Sequence, residues 1–395
     1  MHPTTDVHFG HEQIRMDLLR ERAFNLRWAA VEPGVIPLTA ADPDFPCAPE
    51  IAEAIAKYAR DRYLSYAPAE GLRSFREAMA AYYQERKGVH CSAAYTIACD
   101  SAAFGIYAVC KAFLNAGDEA IVFNPVDFLF KHSVELVGAK TQLFDVPINP
   151  QQTIDWQPLE DLVNNRTKLI CLCNPLNPTG KVFTAEELHE LAIIAERHNL
   201  IILSDEIWSD VVFTPNSYVS MASLPEAADR TIVVTGFSKS YGLAGLRAGA
   251  IIAPNETLYE SIMEASGQRS TVHGCNVLAQ VAATAALQHA QYWLEQFIDH
   301  LQHMRDLTVD ALNAIPGIHC HVPQGCYVAF ANVQETGFTA EEIHSRWLNE
   351  ARVAVVPGLP RWFGANASGH IRISFATSEQ VIQEAFHRIK NLSQQ

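Results

Sequence analysis

The sequence predicts an α/β protein: a large domain built on a mostly parallel sheet flanked by helices, with a smaller α+β domain beside it. Three observations lead there. Helical and strand-like segments alternate from about residue 50 to 290, the pattern that a parallel sheet with crossover helices leaves in a chain. After about residue 290 the texture changes to a long helix followed by shorter strands. No repeat, low-complexity tract or flexible linker separates the parts of the 395-residue chain. Residues 45–290 are assigned to the large domain, and residues 1–44 together with 291–395 to the small one.

The elements follow in order. Residues 51–60 and 72–87 place apolar side chains on one helical face. Residues 119–123 form a short apolar strand closed by Asn124-Pro125, and residues 167–173 another, stopped by a proline-rich turn. Residues 184–199 read as a helix, with Thr184 as N-cap and Glu187 completing a capping box. Strands are expected at 200–204 and 231–235, a helix at 291–315, strands at 319–322 and 327–331, and a last helix at 340–351.

Composition narrows the function. A formal net charge of −15 argues against a protein that wraps a nucleic-acid backbone, because that task needs a basic face. No run of about 18 apolar residues suggests a membrane-spanning helix. The opening Met1-His2-Pro3-Thr4-Thr5-Asp6 lacks the basic and apolar segments of an export signal, so a cytoplasmic protein with reduced cysteines is expected. Cys171 and Cys173 alternate on a strand, and His319-Cys320-His321 has no second ligand cluster; neither pattern predicts a metal site.

Three stretches carry chemistry. Thr235-Gly236-Phe237-Ser238-Lys239-Ser240-Tyr241-Gly242-Leu243-Ala244-Gly245-Leu246-Arg247 follows an apolar strand and is rich in small residues, so backbone can approach a ligand closely. A lysine so placed is partly desolvated, which favours the neutral amine that condenses with a carbonyl. Arg247 suits a charge-assisted contact to phosphate. Cys173-Asn174-Pro175-Leu176-Asn177-Pro178-Thr179-Gly180 is a rigid turn able to aim one amide. In Leu203-Ser204-Asp205-Glu206-Ile207-Trp208, Asp205 ends an apolar strand, where a carboxylate is costly without a cationic partner.

Together and in this order these stretches resemble the fold-type I pyridoxal-phosphate enzymes, and among them the class I and II aminotransferases. The resemblance covers nearly the whole chain. It implies pyridoxal 5'-phosphate as cofactor, Lys239 as the Schiff-base lysine and proton shuttle, and Asp205 as partner of the pyridine nitrogen. Asn177 would bond the ring oxygen, and Ser238 and Arg247 would hold the phosphate. Asp100-Ser101-Ala102 precedes a helix, as the family's phosphate-binding turn does, so the amides of Ser101 and Ala102 would meet the phosphate. Tyr66 matches a tyrosine that reaches the neighbouring subunit's phosphate, which implies a homodimer. Arg372, in Gly369-His370-Ile371-Arg372-Ile373-Ser374-Phe375-Ala376, matches the arginine that grips the substrate α-carboxylate, with Asn177 and Ala41 beside it. The partners so implied are an amino acid and a 2-oxo acid.

Three positions depart from the family's common pattern. Asp127 stands where an aromatic ring usually stacks on the cofactor: either the loop shifts by one and Phe128 supplies the stacking, or the ring face meets a carboxylate. Trp208 stands where many members have tyrosine, and an indole N–H donates but cannot accept. Gly236 replaces a serine. The stretch Phe24-Asn25-Leu26-Arg27-Trp28 and then Pro37-Leu38-Thr39-Ala40-Ala41-Asp42-Pro43-Asp44-Phe45 resembles the cystathionine β-lyase branch, whereas Arg372-Ile373-Ser374-Phe375-Ala376-Thr377-Ser378 resembles the aminotransferase ending. Transamination is the expected reaction. The alternatives are carbon–sulfur β-lysis, other chemistry on a basic amino acid (for which Asp127 would hold the side chain) and a non-catalytic regulator.

Overall fold

The computed structural model describes residues 7–22 and 27–392. Phe24-Asn25-Leu26, part of the lyase-like stretch, lies outside the described residues. Seven strands make the large sheet: β1 (Thr96–Cys99), β2 (Glu119–Asn124), β3 (Lys140–Asp145), β4 (Thr167–Cys173), β5 (Ile201–Asp205), β6 (Thr231–Gly236) and β7 (Gly249–Ile252). Their order is β1-β7-β6-β5-β4-β2-β3. β7 runs antiparallel to both neighbours, and every other pairing is parallel.

Helices cover both faces of a parallel sheet, so its strands are buried on both sides and read as unbroken apolar runs rather than alternations. β2 and β6 are buried at every position. β3, at the sheet's edge, is not, and its mixed sequence left it unread. The parallel strands all end at one rim, which receives Asn124, Cys173, Asp205 and Gly236. In such sheets that rim is where ligands bind.

Local chemistry fixes the flanking helices. α1 (Pro49–Arg60) starts with proline in its first turn, and α2 (Arg73–Lys87) ends on Gly88 at φ 66°, a left-handed cap. α3 (Ala102–Phe113) begins where the extended Ser101 accepts a hydrogen bond from Phe104 N. α4 (Ala185–Arg197) carries the expected capping box of Thr184 and Glu187. The long α5 (Gln291–Asn313) then leads to a four-stranded antiparallel sheet. Its strands are β8 (His319–Cys320), β9 (Val328–Asn332), β10 (Val356–Pro357) and β11 (His370–Ser374), in the order β10-β11-β9-β8. The strand expected at 319–322 covers only its first two residues. The helix expected at 340–351 forms as Ala340–Arg346 and widens into a π turn over Trp347–Ala351.

Residues 36–44 dock against residues 353–376. Ile36–Pro37 pairs with Val353–Ala354, Ser374 N donates to Leu38 O at 3.0 Å, and Asp44 N donates to Ala376 O at 3.0 Å. Arg27 and Asp44, both buried, form an ion pair at 2.7 Å, and Trp28 Nε1 donates to the same carboxylate at 2.9 Å. Arg27 also donates to Ala40 O at 3.0 Å, so this pair holds the 39–44 segment across the strand ends.

Candidate active site

Lys239 lies in the turn after β6, half-buried. Its Nζ donates to Ala41 O at 2.6 Å and stands 5.4 Å from the centre of the Trp208 ring. Burial lowers its pKa from the usual lysine value; the Asp42, Asp127 and Asp205 carboxylates oppose that, and Arg372 adds to it. The turn is tied from behind: Ser240 Oγ donates to Asp210 Oδ2 at 2.7 Å, and Asp210 Oδ1 accepts from Lys87 Nζ and Tyr82 Oη, each at 2.6 Å. Trp208, 2% exposed, packs edge-on against Tyr327 at 4.6 Å.

Asp205 closes β5 and is 6% exposed. Its Oδ1 accepts one backbone N–H, from Ile207, at 3.1 Å. Burial pushes its carboxyl up to about 7, with Asp127 and Glu206 pushing the same way. A carboxyl held so high is suited to a cationic partner, whose charge would restore the ionised form.

Arg372 rises from β11 and is 8% exposed. Nη1 donates to Asn177 Oδ1 at 3.1 Å, Nη2 to Thr39 O at 3.3 Å, and the guanidinium lies 4.9 Å from the Phe363 ring centre. Its buried Nε has no hydrogen-bond partner among the described residues. The fork thus keeps donor capacity for a carboxylate. Asn177 is aimed by the turn that sequence suggested: Leu176 N donates to Lys181 O at 2.8 Å and Gly180 N to Leu176 O at 2.7 Å. Its amide Nδ2 donates to Asp127 Oδ2 at 3.2 Å. Burial raises the Asp127 carboxyl above the usual range, while Arg372 pulls it down.

The other end of the site is a backbone cradle. Ser101 and Ala102 open α3 with N–H groups at the rim, and a helix N-terminus attracts anions. β6 and β7 press on it through glycines. A Cβ added at Gly249 would sit 2.7 Å from Ser101 C and 3.0 Å from Ala102 N, and one at Gly236 3.6 Å from Ala102 N. Ser238 is half-buried, and Arg247 is exposed, with a left-handed backbone at φ 57°. Tyr66 is 88% exposed and meets His273 edge-on at 5.1 Å, outside the cluster formed by its own chain.

These residues fit pyridoxal phosphate: an amine of lowered pKa, a buried carboxyl wanting a cation, an amide, an arginine fork and a helix N-terminus for phosphate. Phe128 is not brought to the cluster. Val126 N donates to Phe363 O at 3.0 Å and Phe128 N to Trp362 O at 2.9 Å, which straps one side of the segment to residues 362–363. Asp127, between them, turns toward Asn177, whereas Phe128, 39% exposed, packs edge-on against Trp362 at 5.5 Å. Sequence reasoning missed Tyr327, read only as the start of a strand. It is fully buried, and its hydroxyl donates at 3.1 Å to Ala41 O, the carbonyl that also receives Lys239. It missed Gly249 too. A polar-tipped aromatic just after Gly325-Cys326, and a glycine opening an apolar strand, were the available signals.

Comparison with known proteins gives the family. The family described as aminotransferase class I and II matches residues 33–389. A putative aminotransferase of Bacillus subtilis is 32% identical over 96% of this chain and 96% of its own. An aspartate aminotransferase of Geobacillus stearothermophilus is 30% identical over 94% of each. The crystal structure of a PLP-bound putative aminotransferase from Clostridium difficile superposes with a TM-score of 0.87 at 26% identity, covering 94% of this chain and 97% of that one. Nothing in these likenesses favours the lyase alternative. The fold, the cluster at the strand ends and these relatives agree: the chain belongs to the class I and II aminotransferase family and is a pyridoxal 5'-phosphate-dependent transferase.

Proposed function

We propose that the enzyme moves the amino group of an amino acid to a 2-oxo acid, with Lys239 as the cofactor's covalent anchor and the base that moves the Cα proton. The observation that carries this is one cluster in which Lys239 Nζ, Asp205, Asn177 and Arg372 converge on the rim where the parallel strands end. The bound cofactor supplies the electron sink that makes the substrate Cα–H acidic. Asp205 keeps the cofactor's ring nitrogen protonated, and Asn177 donates to its ring oxygen. Ser101, Ala102, Ser238 and Arg247 hold the phosphate. Trp208 would wall the ring beside Lys239.

Arg372 binds the substrate α-carboxylate through two parallel donors, and Asn177 and the Ala41 backbone frame it. This would bring Cα near Lys239 Nζ, which, once the substrate amine has displaced it from the cofactor, would be the free amine that takes the Cα proton and returns it as the amino group is transferred. Tyr66, exposed in one chain, reaches the phosphate of a second copy, so the working unit is a homodimer. The division into residues 45–290 and 1–44 with 291–395, and a cytoplasmic location, belong to the same reading.

The test is a half-reaction. Holoenzyme mixed with amino acids and no oxo acid should convert its cofactor to the amino form, with one oxo acid released per site. Pyruvate and ammonia accumulating from cystathionine, with the cofactor spectrum unchanged, would refute transamination in favour of β-lysis.

A further inference from the structure

We infer that Asp127 makes this site select against amino acids that carry a second carboxylate, favouring donors whose side chain is uncharged or cationic. The inference rests on the aminotransferase reading, in which Arg372 takes the α-carboxylate. Asp127 is held toward the site because its neighbours' amides are strapped to residues 362–363 on the other side. Its Oδ1 accepts from Leu129 N at 3.3 Å and its Oδ2 from Asn177 Nδ2 at 3.2 Å. The same Asn177 amide accepts from Arg372 Nη1 at 3.1 Å. One amide therefore bridges the half-buried acid and the buried arginine, where charges are less screened than at the surface.

Charge then decides the substrate class. The cations of the cluster are Lys239 and Arg372, and the carboxyls facing them are Asp127, Asp205 and Asp42. With Asp205 given to the cofactor's ring nitrogen and Arg372 to the substrate α-carboxylate, the carboxyls of Asp127 and Asp42 face the single remaining cation, Lys239, an excess of one negative charge beside the bound substrate. A side-chain carboxylate would add another within the same water-poor space, whereas a side-chain ammonium would offset it. Asp127 also borders a cavity of about 350 Å³ with Phe128, Phe363 and Leu143, which Lys239, Asn177 and Arg372 do not line. Cations on its rim do not reverse the sign. Lys131 is exposed and 3.8 Å from Glu135, and the exposed Arg361 lies over the Trp362 ring, so solvent screens both.

The test uses holoenzyme and three acids without a reactive amine: succinate, butyrate and 4-(trimethylammonio)butanoate. Binding is measured by calorimetry and by perturbation of the cofactor spectrum. Wild type should bind butyrate and the cationic acid about tenfold or more tighter than succinate, the size of one poorly screened charge. Asp127→Asn should bring succinate to within about threefold of butyrate, and Asp127→Glu should keep the original order. Succinate binding wild type as tightly as butyrate would overturn the inference, and this comparison stands even where a variant fails to fold. An unchanged succinate-to-butyrate ratio in Asp127→Asn would overturn it as well. Failure of the aminotransferase reading shows separately, as absence of the half-reaction with every amino acid while the binding order persists.

Discussion

Replacing Asp205 with asparagine should stabilise the cofactor-stripped protein at alkaline pH while abolishing its activity. Burial raises the Asp205 carboxyl from the ordinary 3.8 to about 7 in the folded chain. The folded state thus holds that proton more tightly than the unfolded one. The stability this gives is fully present below pH 3.8 and is lost as pH rises to about 7. At 1.36 kcal/mol per pKa unit, the loss amounts to at most about 4 kcal/mol. Asparagine keeps an oxygen for the Ile207 N–H and carries no charge, so its stability should lack this component. Urea denaturation of stripped wild type and Asp205→Asn at pH 5 and pH 8 measures the difference. The wild type should lose about 2–4 kcal/mol relative to the variant across that interval, and added cofactor should remove most of the gap by supplying a cation. A difference between the two proteins that is the same at both pH values would refute the argument, because a buried acid without its cation must titrate.

Two further outcomes test the scaffold. Asp44→Ala leaves Arg27 buried without its carboxylate and should cost about 3–5 kcal/mol in denaturant unfolding. It should also weaken binding of substrate-like acids, since the 39–44 segment supplies the carbonyl partners of Lys239 and Arg372. Gly249→Ala places a methyl 2.7 Å from the Ser101 backbone, so the start of α3 must shift; cofactor affinity, read by fluorescence titration, should fall by roughly tenfold or more with little change in helix content.

The sequence was most legible where burial and capping act locally. Thr167–Cys173 reads as a strand from its apolar run, and Thr184 with Glu187 marks the start of α4 from two residues. Lys239, Asp205 and Asn177 were readable from the composition of their stretches and Arg372 from the family resemblance, and the structure brings these four together. β3 was not legible, since an edge strand with exposed positions has no apolar run. Phe128 was misplaced for a related reason. Composition shows an aromatic next to an acid, but which one faces the cluster depends on hydrogen bonds to residues 362–363, far along the chain. Tyr327 went unread because its role depends on Ala41, 286 residues earlier.

The docking of the 39–44 segment has a consequence for biosynthesis. Lys239 meets a carbonyl 198 residues before it, and Arg372 meets one 333 residues before it. The segment bearing both carbonyls is itself pinned by Ser374 and Ala376, near the end of the chain. A nascent polypeptide can thus complete the large sheet once Ile252 has emerged, yet still lack the frame around its reactive lysine. At ~5–20 residues per second, translation takes on the order of ten seconds to go from there to Arg372. During that interval the 39–44 segment lacks the contacts with Ser374 and Ala376 that pin it, and with it the carbonyl that Lys239 meets.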